Sequence, residues 1–321
     1  MNRIFRFHAF APLVYIGLVV FTNACTSVAN ATTAASINTP TALITSAGSK
    51  LKVVTTTTQV TALAKVVGGD NIELSGILNA GVDPHEYEVT PGDLRAFADA
   101  QVIVKNGVGL EKSLDKAIEN SGTKAFIVDA SKGVKLRKGD EQEPQGDPHI
   151  WHSVPNAIIM LNNIRDGLAQ SDPAHTSSYK ANAASYEMKL NDLDQYILQQ
   201  IASIPTANRK FVSNHDAFGY YVDRYGLTFV GSVIPSMDTS FQPSAKELAD
   251  LVEAIKAQNV RAVFSESSVN PSLVKQIAQE AGVKIVDGAL YGDTLGPPGS
   301  GADTLDGMLR VNTDIIVSNL K

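Results

Sequence analysis

The chain has 321 residues, 44% of them apolar and 19% charged, with a formal net charge of −6. That is enough for two domains of ordinary size with a sizeable core, and the composition excludes intrinsic disorder. The first 25 residues hold Arg3 and Arg6 and no acid, so the remainder carries 25 basic against 33 acidic residues, about −8. Such a surface suits a cation and argues against a nucleic-acid partner, which calls for clustered Lys and Arg.

At the N-terminus, Arg3 and Arg6 precede an apolar stretch from Ala9 to Phe21, the order of the basic and apolar regions of an export signal. The stretch is too short to read as a membrane span. Cys25, the single cysteine, follows Thr22-Asn23-Ala24 and stands where a bacterial lipoprotein signal carries its lipid-modified residue. Thr22 departs from the leucine usual in such signals, and the rival reading is cleavage after Ala29-Asn30-Ala31. A lone cysteine directly after the apolar region favours the lipid. Either way the mature chain is expected outside the cytoplasm, periplasmic or at the cell surface, with no disulfide to stabilise it.

Residues 1–25 are thus read as a signal and residues 26–49, rich in Thr, Ala and Ser, as a flexible tether. From Leu51 onward short apolar runs alternate with helical patterns. Lys52-Val53-Val54-Thr55-Thr56, the run from Ile72 to Leu78, Gln101-Val102-Ile103-Val104 and Ala125-Phe126-Ile127-Val128 read as strands. Helices are expected around Val60 to Val67 and Thr90 to Ala98, the second opened by Thr90 as cap and Pro91 at the first helical position. The longest helical pattern is expected to start at Asp172-Pro173 and stop at Pro205. Its Tyr186, Leu190, Leu193, Ile197 and Ile201 recur every three or four residues along one face.

Beyond it, Phe211-Val212, Leu227-Thr228-Phe229-Val230, Arg261-Ala262-Val263-Phe264 and Val283-Lys284-Ile285-Val286 read as strands, the last ending near Val286. Ser244-Ala245-Lys246-Glu247 has capping-box spacing. The alternation predicts an α/β protein with mostly parallel sheets. Two lobes, residues 50–171 and 206–321, are joined by one long rigid helix over 172–205.

The six histidines are His8, His85, His149, His152, His175 and His215. Asp-Pro-His occurs twice, at Asp83-Pro84-His85 and Asp147-Pro148-His149, and proline stiffens each turn so that its imidazole points in a defined direction. His215 follows the strand pattern Lys210 to Asn214. Asp293 follows the strand near Val286. Ligands of parallel sheets bind beyond the carboxyl ends of the strands, so two groups from each half would place a metal in the cleft between lobes. Three neutral imidazoles and one carboxylate form a closed tetrahedral set suited to Zn²⁺, with Mn²⁺ a less natural match for so much nitrogen. His152 competes with its neighbour His149, His175 is expected to face solvent, and Glu86 and Glu88 read as exposed loop acids.

Five segments in order then resemble a known family: Val82-Asp83-Pro84-His85-Glu86-Tyr87-Glu88, Asn106-Gly107-Val108-Gly109-Leu110-Glu111, Asp147-Pro148-His149-Ile150-Trp151, His215-Asp216-Ala217-Phe218-Gly219-Tyr220 and Glu266-Ser267-Ser268-Val269-Asn270-Pro271. They are similar to the solute-binding proteins of bacterial zinc and manganese ABC importers. The resemblance spans about 50 to 320. It implies two lobes on a rigid backbone helix, with His85, His149, His215 and Asp293 as the metal ligands of one ion per chain. The partners it implies are a membrane permease and, through Cys25, the lipid bilayer, with the chain acting as a monomer. Manganese-binding members typically carry glutamate at the third ligand position, so His215 points to zinc, with manganese the alternative. Many zinc members have a histidine-rich loop before the second Asp-Pro-His. Here Gly133 to Gly146 holds Asp140, Glu141 and Glu143 but no histidine, and reads as a short solvated loop.

The reading is therefore capture of a divalent metal ion and delivery to an importer, and not an enzyme. A zinc hydrolase would keep an open coordination position, whereas four candidates fill the shell, and neither H-E-x-x-H nor G-x-S-x-G occurs. An adhesin would call for a stalk or binding module that the sequence lacks.

Overall fold

Residues Ser49–Lys321 are described by a computed structural model; the segments read as export signal and tether, with Cys25, lie outside the described residues. The first half is a four-stranded sheet built from β1 (Leu51–Thr55), β2 (Ile72–Gly76), β3 (Val102–Lys105) and β4 (Phe126–Asp129) in the order β2-β1-β3-β4. Every pairing is parallel, with Val53 between Leu74 and Val102. The crossovers are α1 (Thr58–Gly68), α2 (Pro91–Asp99) and α3 (Lys112–Asn120). As expected, Thr90 caps α2, and Asp93 closes a reciprocal capping box with it.

The second half repeats the plan. β5 (Lys210–His215) pairs in parallel with β6 (Thr228–Ile234), and β7 (Ala262–Glu266) with β8 (Lys284–Leu290). β5 and β7 lie side by side, so the strands follow the same order as in the first half. Around them run α6 (Gly219–Tyr225), α7 (Ala245–Ala257), α8 (Ser272–Ala281) and the terminal α9 (Leu305–Leu320). Ser244 and Glu247 form the expected capping box at α7.

Between the sheets stand α4 (Val154–Ser171) and α5 (Thr176–Ala202). Asp172-Pro173 does not open α5 as the sequence suggests. Pro173–His175 is a 3-10 turn, and the Asp172 carboxylate accepts hydrogen bonds from the Tyr179 hydroxyl at 2.6 Å and from His175 Nδ1 at 2.6 Å instead of capping a backbone amide. α5 therefore has 27 residues and starts at Thr176. The apolar face is as expected: Tyr186, Leu190, Leu193, Ile197 and Ile201 are all buried. β8 runs four residues beyond the expected end near Val286, to Leu290. Helices α3, α4, α6, α8 and α9 were not foreseen.

The central strands β1, β3, β5 and β7 are buried along nearly their whole length, whereas the outer strands β2, β4 and β6 keep exposed residues. Side chains alternate between faces. Val53, Val102, Val104, Phe211, Ala262 and Phe264 enter one core shared with α1, α4, α5 and α9. Val54 and Ile103 pack under α2 and α3, while Val212 and Val263 pack under α7 and α8. The two halves are thus fused through a common core. We expect one cooperative urea transition for the described region, and Leu190→Ala, which removes a fully buried side chain from that core, to lower stability by about 2–5 kcal/mol. Two separate transitions, or a Leu190→Ala effect below 1 kcal/mol, would contradict the shared core.

Candidate metal centre

The four candidate groups come together. His85 lies in the loop after β2, His149 just ahead of a 3-10 turn leading into α4, His215 is the last residue of β5, and Asp293 follows β8. A ligand atom from each lies within 4.8 Å of the others. Asp293 is the hub: its Oδ1 is 3.3 Å from His149 Nε2, and its Oδ2 is 3.1 Å from His215 Nε2 and 3.8 Å from His85 Nε2. Tetrahedral ligands at ~2.0 Å from a metal would be separated by about 3.3 Å, so the set is already near that spacing. All four side chains are at most 1% exposed. Both Asp293 oxygens and all three Nε2 atoms lack a hydrogen-bond partner among the described residues.

Two of the three imidazoles, His149 and His215, meet a carboxylate at the other nitrogen. Asp147 Oδ1 lies 2.9 Å from His149 Nδ1 and also accepts from the His149 amide at 3.0 Å, while Arg137 holds its Oδ2 at 2.6 Å. Glu266 Oε2 lies 2.9 Å from His215 Nδ1, and Oε1 accepts from the His215 amide at 3.0 Å. Such carboxylate–imidazole pairs fix the tautomer that turns Nε2 toward a metal. The two Asp-Pro-His turns are not equivalent. Asp83 accepts from the His85 amide at 2.9 Å, but its other oxygen takes the Thr239 hydroxyl of the opposite half at 2.7 Å. The carboxylate facing His85 Nδ1 is instead Glu143, at 3.8 Å.

Asp147, Glu266, Glu143 and Arg137 are the functional neighbours that sequence reasoning left without a role. The Glu266 segment was already conspicuous, whereas Glu143 was read into a solvated loop. That expectation fails. Glu143 is buried, and Asp140 of the same loop accepts from the Ser236 hydroxyl at 2.9 Å and the Met237 amide at 2.8 Å, tying the loop to the second half. His152 is buried but outside the four-group set, packed on Phe218 with ring centroids 4.5 Å apart. His175 is half-exposed and paired with Asp172. Glu86 and Glu88 are exposed.

Electrostatics divide the histidines. Burial pushes His85 down to about 3 and keeps it neutral. Burial also opposes charge on His149 and His215, but Asp147 and Asp293 hold His149 up at about 9, and Asp293 with Glu266 hold His215 well above its ordinary value. Asp293 is in turn held well below the carboxylate range: burial opposes its charge, and the neighbouring His215 and His149 outweigh it. A cation entering the centre must therefore displace protons. We expect about two protons released per ion bound near neutral pH, read by titration calorimetry in buffers of different ionisation enthalpy, and release of none would contradict the geometry.

The stability of the metal-free protein follows with the opposite sign. The His149 pKa is raised from 6.5 to about 9 by folding, so its contribution is complete below pH 6.5 and is lost as pH rises toward 9. Metal affinity rises over the same window, so the thermal shift conferred by metal should widen from pH 6.5 to pH 9. Gly292 tests the framework differently. A Cβ there would sit 2.2 Å from Glu266 Oε2, so Gly292→Ala should displace the carboxylate behind His215 and weaken metal binding by about 10–100-fold with the fold intact by circular dichroism.

Comparisons with known proteins bear on the family of the chain. The family model described as zinc-uptake complex component A, periplasmic, matches residues 53–319. The manganese-binding lipoprotein MntA of Halalkalibacterium halodurans is 33% identical over 273 residues, covering 85% of this chain and 89% of that protein. The metal ABC transporter substrate-binding lipoprotein FimA of Streptococcus parasanguinis is 31% identical, covering 85% and 90%. Among solved structures, the periplasmic zinc-binding protein TroA of Treponema pallidum superposes with a TM-score of 0.80 at 28% identity, over 85% of this chain and 99% of that one. The chain belongs to the family of periplasmic zinc-uptake components, the solute-binding proteins of zinc and manganese ABC importers.

Proposed function

We propose that this protein captures one divalent metal ion outside the cytoplasm through His85, His149, His215 and Asp293 and delivers it to the membrane permease of an ABC importer, with zinc as the first cargo. The observation that carries the reading is the convergence of three unpaired imidazole nitrogens and an unpaired carboxylate in a buried cleft. A nitrogen-rich set sits on the favourable side of the affinity order for zinc over manganese. Four ligands close the shell, which suits carriage and leaves no open position for catalysis. Membership of a family of uptake components supports the same conclusion.

A second reading, manganese as cargo, is favoured by two specific observations. Relatives at 29–33% identity carry manganese in their names. Both oxygens of Asp293 face the set, so a bidentate carboxylate would raise the coordination number to five and relax the preference for a tetrahedral ion. Equilibrium competition decides between them: Zn²⁺ is expected to displace Mn²⁺ at equal free concentrations, and the reverse assigns the cargo to manganese. His215→Ala or Asp293→Ala should abolish the metal-dependent thermal shift, since each removes a ligand from the second half. Retention of the shift in either variant would overturn the four-group site. The domain boundaries proposed from the sequence, 50–171 and 206–321 about a 172–205 linker, place two ligands on each side of the linker.

The lipoprotein names of relatives support anchoring through Cys25. Cys25→Ala should release the protein from the membrane fraction, and a wild-type mature chain beginning at Thr32 would replace the anchor with ordinary cleavage.

A further inference from the structure

A second convergence of ligand atoms borders the four-group centre. The His85 ring has two working faces: Nε2 faces Asp293, whereas Nδ1 faces Glu143, whose Oε1 is 3.8 Å away. Asp238, in the loop between β6 and α7, completes the group. One ligand atom from each of His85, Glu143 and Asp238 lies within 4.8 Å of the other two. Three separate chain segments, from both halves, supply them. The His85 and Glu143 side chains are 1% exposed, and His85 Nδ1 has no hydrogen-bond partner among the described residues. The charge at this point is met by Lys112, whose half-exposed Nζ is 2.9 Å from Glu143 Oε1 and 3.1 Å from Asp238 Oδ2. The ammonium also donates to the Gln142 carbonyl at 3.0 Å, and the imidazole nitrogen is left unused. Two carboxylates and an imidazole are the ligand chemistry of a divalent cation.

We propose that His85 Nδ1, Glu143 and Asp238 form an outer position for the divalent cargo at the rim of the cleft, filled by the Lys112 ammonium until metal displaces it, and that the cation passes from there to the inner centre across the His85 ring. This rests on the reading of the inner centre as the cargo site. A neutral imidazole has one lone pair and one N–H. Metal on Nδ1 leaves the proton on Nε2; metal on Nε2 leaves it on Nδ1, the side that faces Glu143. The two positions are therefore filled in turn, and loading stays at one ion per chain. Lys112, on the first turn of α3 and half-exposed, turns into solvent when displaced.

The test uses zinc and a chain whose inner centre is disabled by His215→Ala with Asp293→Asn, with the fold checked by thermal unfolding. Weak one-to-one binding should remain in this background. Adding Asp238→Asn should weaken it by about tenfold or more, and adding Lys112→Met should strengthen it by about tenfold, because the competing ammonium is gone. No residual binding, or residual binding indifferent to both changes, overturns the proposal, since the latter places the ion on His85 and His149 alone. Kinetics on the otherwise native chain give an independent arm that needs no disabled background. Asp238→Asn should slow zinc loading and chelator-driven release by a similar factor, about tenfold, while the equilibrium affinity moves by less than about threefold. Unchanged rates overturn it equally. A native chain that binds neither zinc nor manganese would instead bring down the inner-centre reading, so the two failures are distinct.

Discussion

Everything at the cleft depends on the Asp293 carboxylate, which is fully buried and faces three imidazole nitrogens without a hydrogen bond to any of them. A buried carboxylate costs several kcal/mol unless it is paired. In the cation-free state the partners are the imidazoles of His149 and His215, whose pKa values are held up beside Asp293 at 3.3 and 3.1 Å. A divalent ion would take over that role. The ring nitrogens away from the centre show the same design from behind, since Asp147 and Glu266 each hold one imidazole by its Nδ1 and its backbone amide.

The frame explains why four residues so distant in sequence can be held this closely. Each half places its strands in the same order, and His215 and Asp293 lie at or just beyond strand ends, where backbone groups are free of ladder bonds and side chains converge. The core shared by α1, α4, α5 and α9 keeps the two sheets in register with each other. Across the cleft mouth, polar contacts between halves add to it: Thr239 to Asp83 at 2.7 Å, the Gly81 amide to Thr294 at 3.0 Å and the Leu295 amide to Thr58 at 2.9 Å.

The strands and the four groups that converge were legible in the sequence because each leaves a local signature. Val53, Ile103 and Phe264 sit in short apolar runs bounded by polar residues, and proline stiffens the histidine turns. What the sequence hid depends on tertiary contact. Asp172-Pro173 has the local chemistry of a helix start, yet Tyr179 and His175 recruit the carboxylate and the helix begins at Thr176. α4 is a different case: Val154, Ala157, Met160, Leu161, Ile164 and Leu168 recur every three or four residues along one buried face, a local signature as regular as that of α5. Glu143 reads as one acid among several in a polar loop, and only the approach of His85 and Lys112 from elsewhere in the chain gives it a buried role.

Charge balance explains why the centre favours a divalent ion over a monovalent one. Asp147 is compensated by Arg137, which leaves Asp293 and Glu266 as the carboxylates beside the imidazoles without a basic partner from Lys or Arg. Two negative charges in a buried site call for two positive ones. In the cation-free protein protons supply them, which is why His149 is held at about 9 and His215 well above its ordinary value. His85 stays neutral because the two charges are already met by the other rings and burial then dominates. A single divalent ion replaces the two protons with no net change in charge, so loading and unloading carry no uncompensated charge into the interior. A monovalent ion would leave one buried charge unmatched or one proton in place, blocking a ligand nitrogen. Among divalent ions, the features of the set that bear on the choice are its nitrogen content and the two inward-facing oxygens of Asp293.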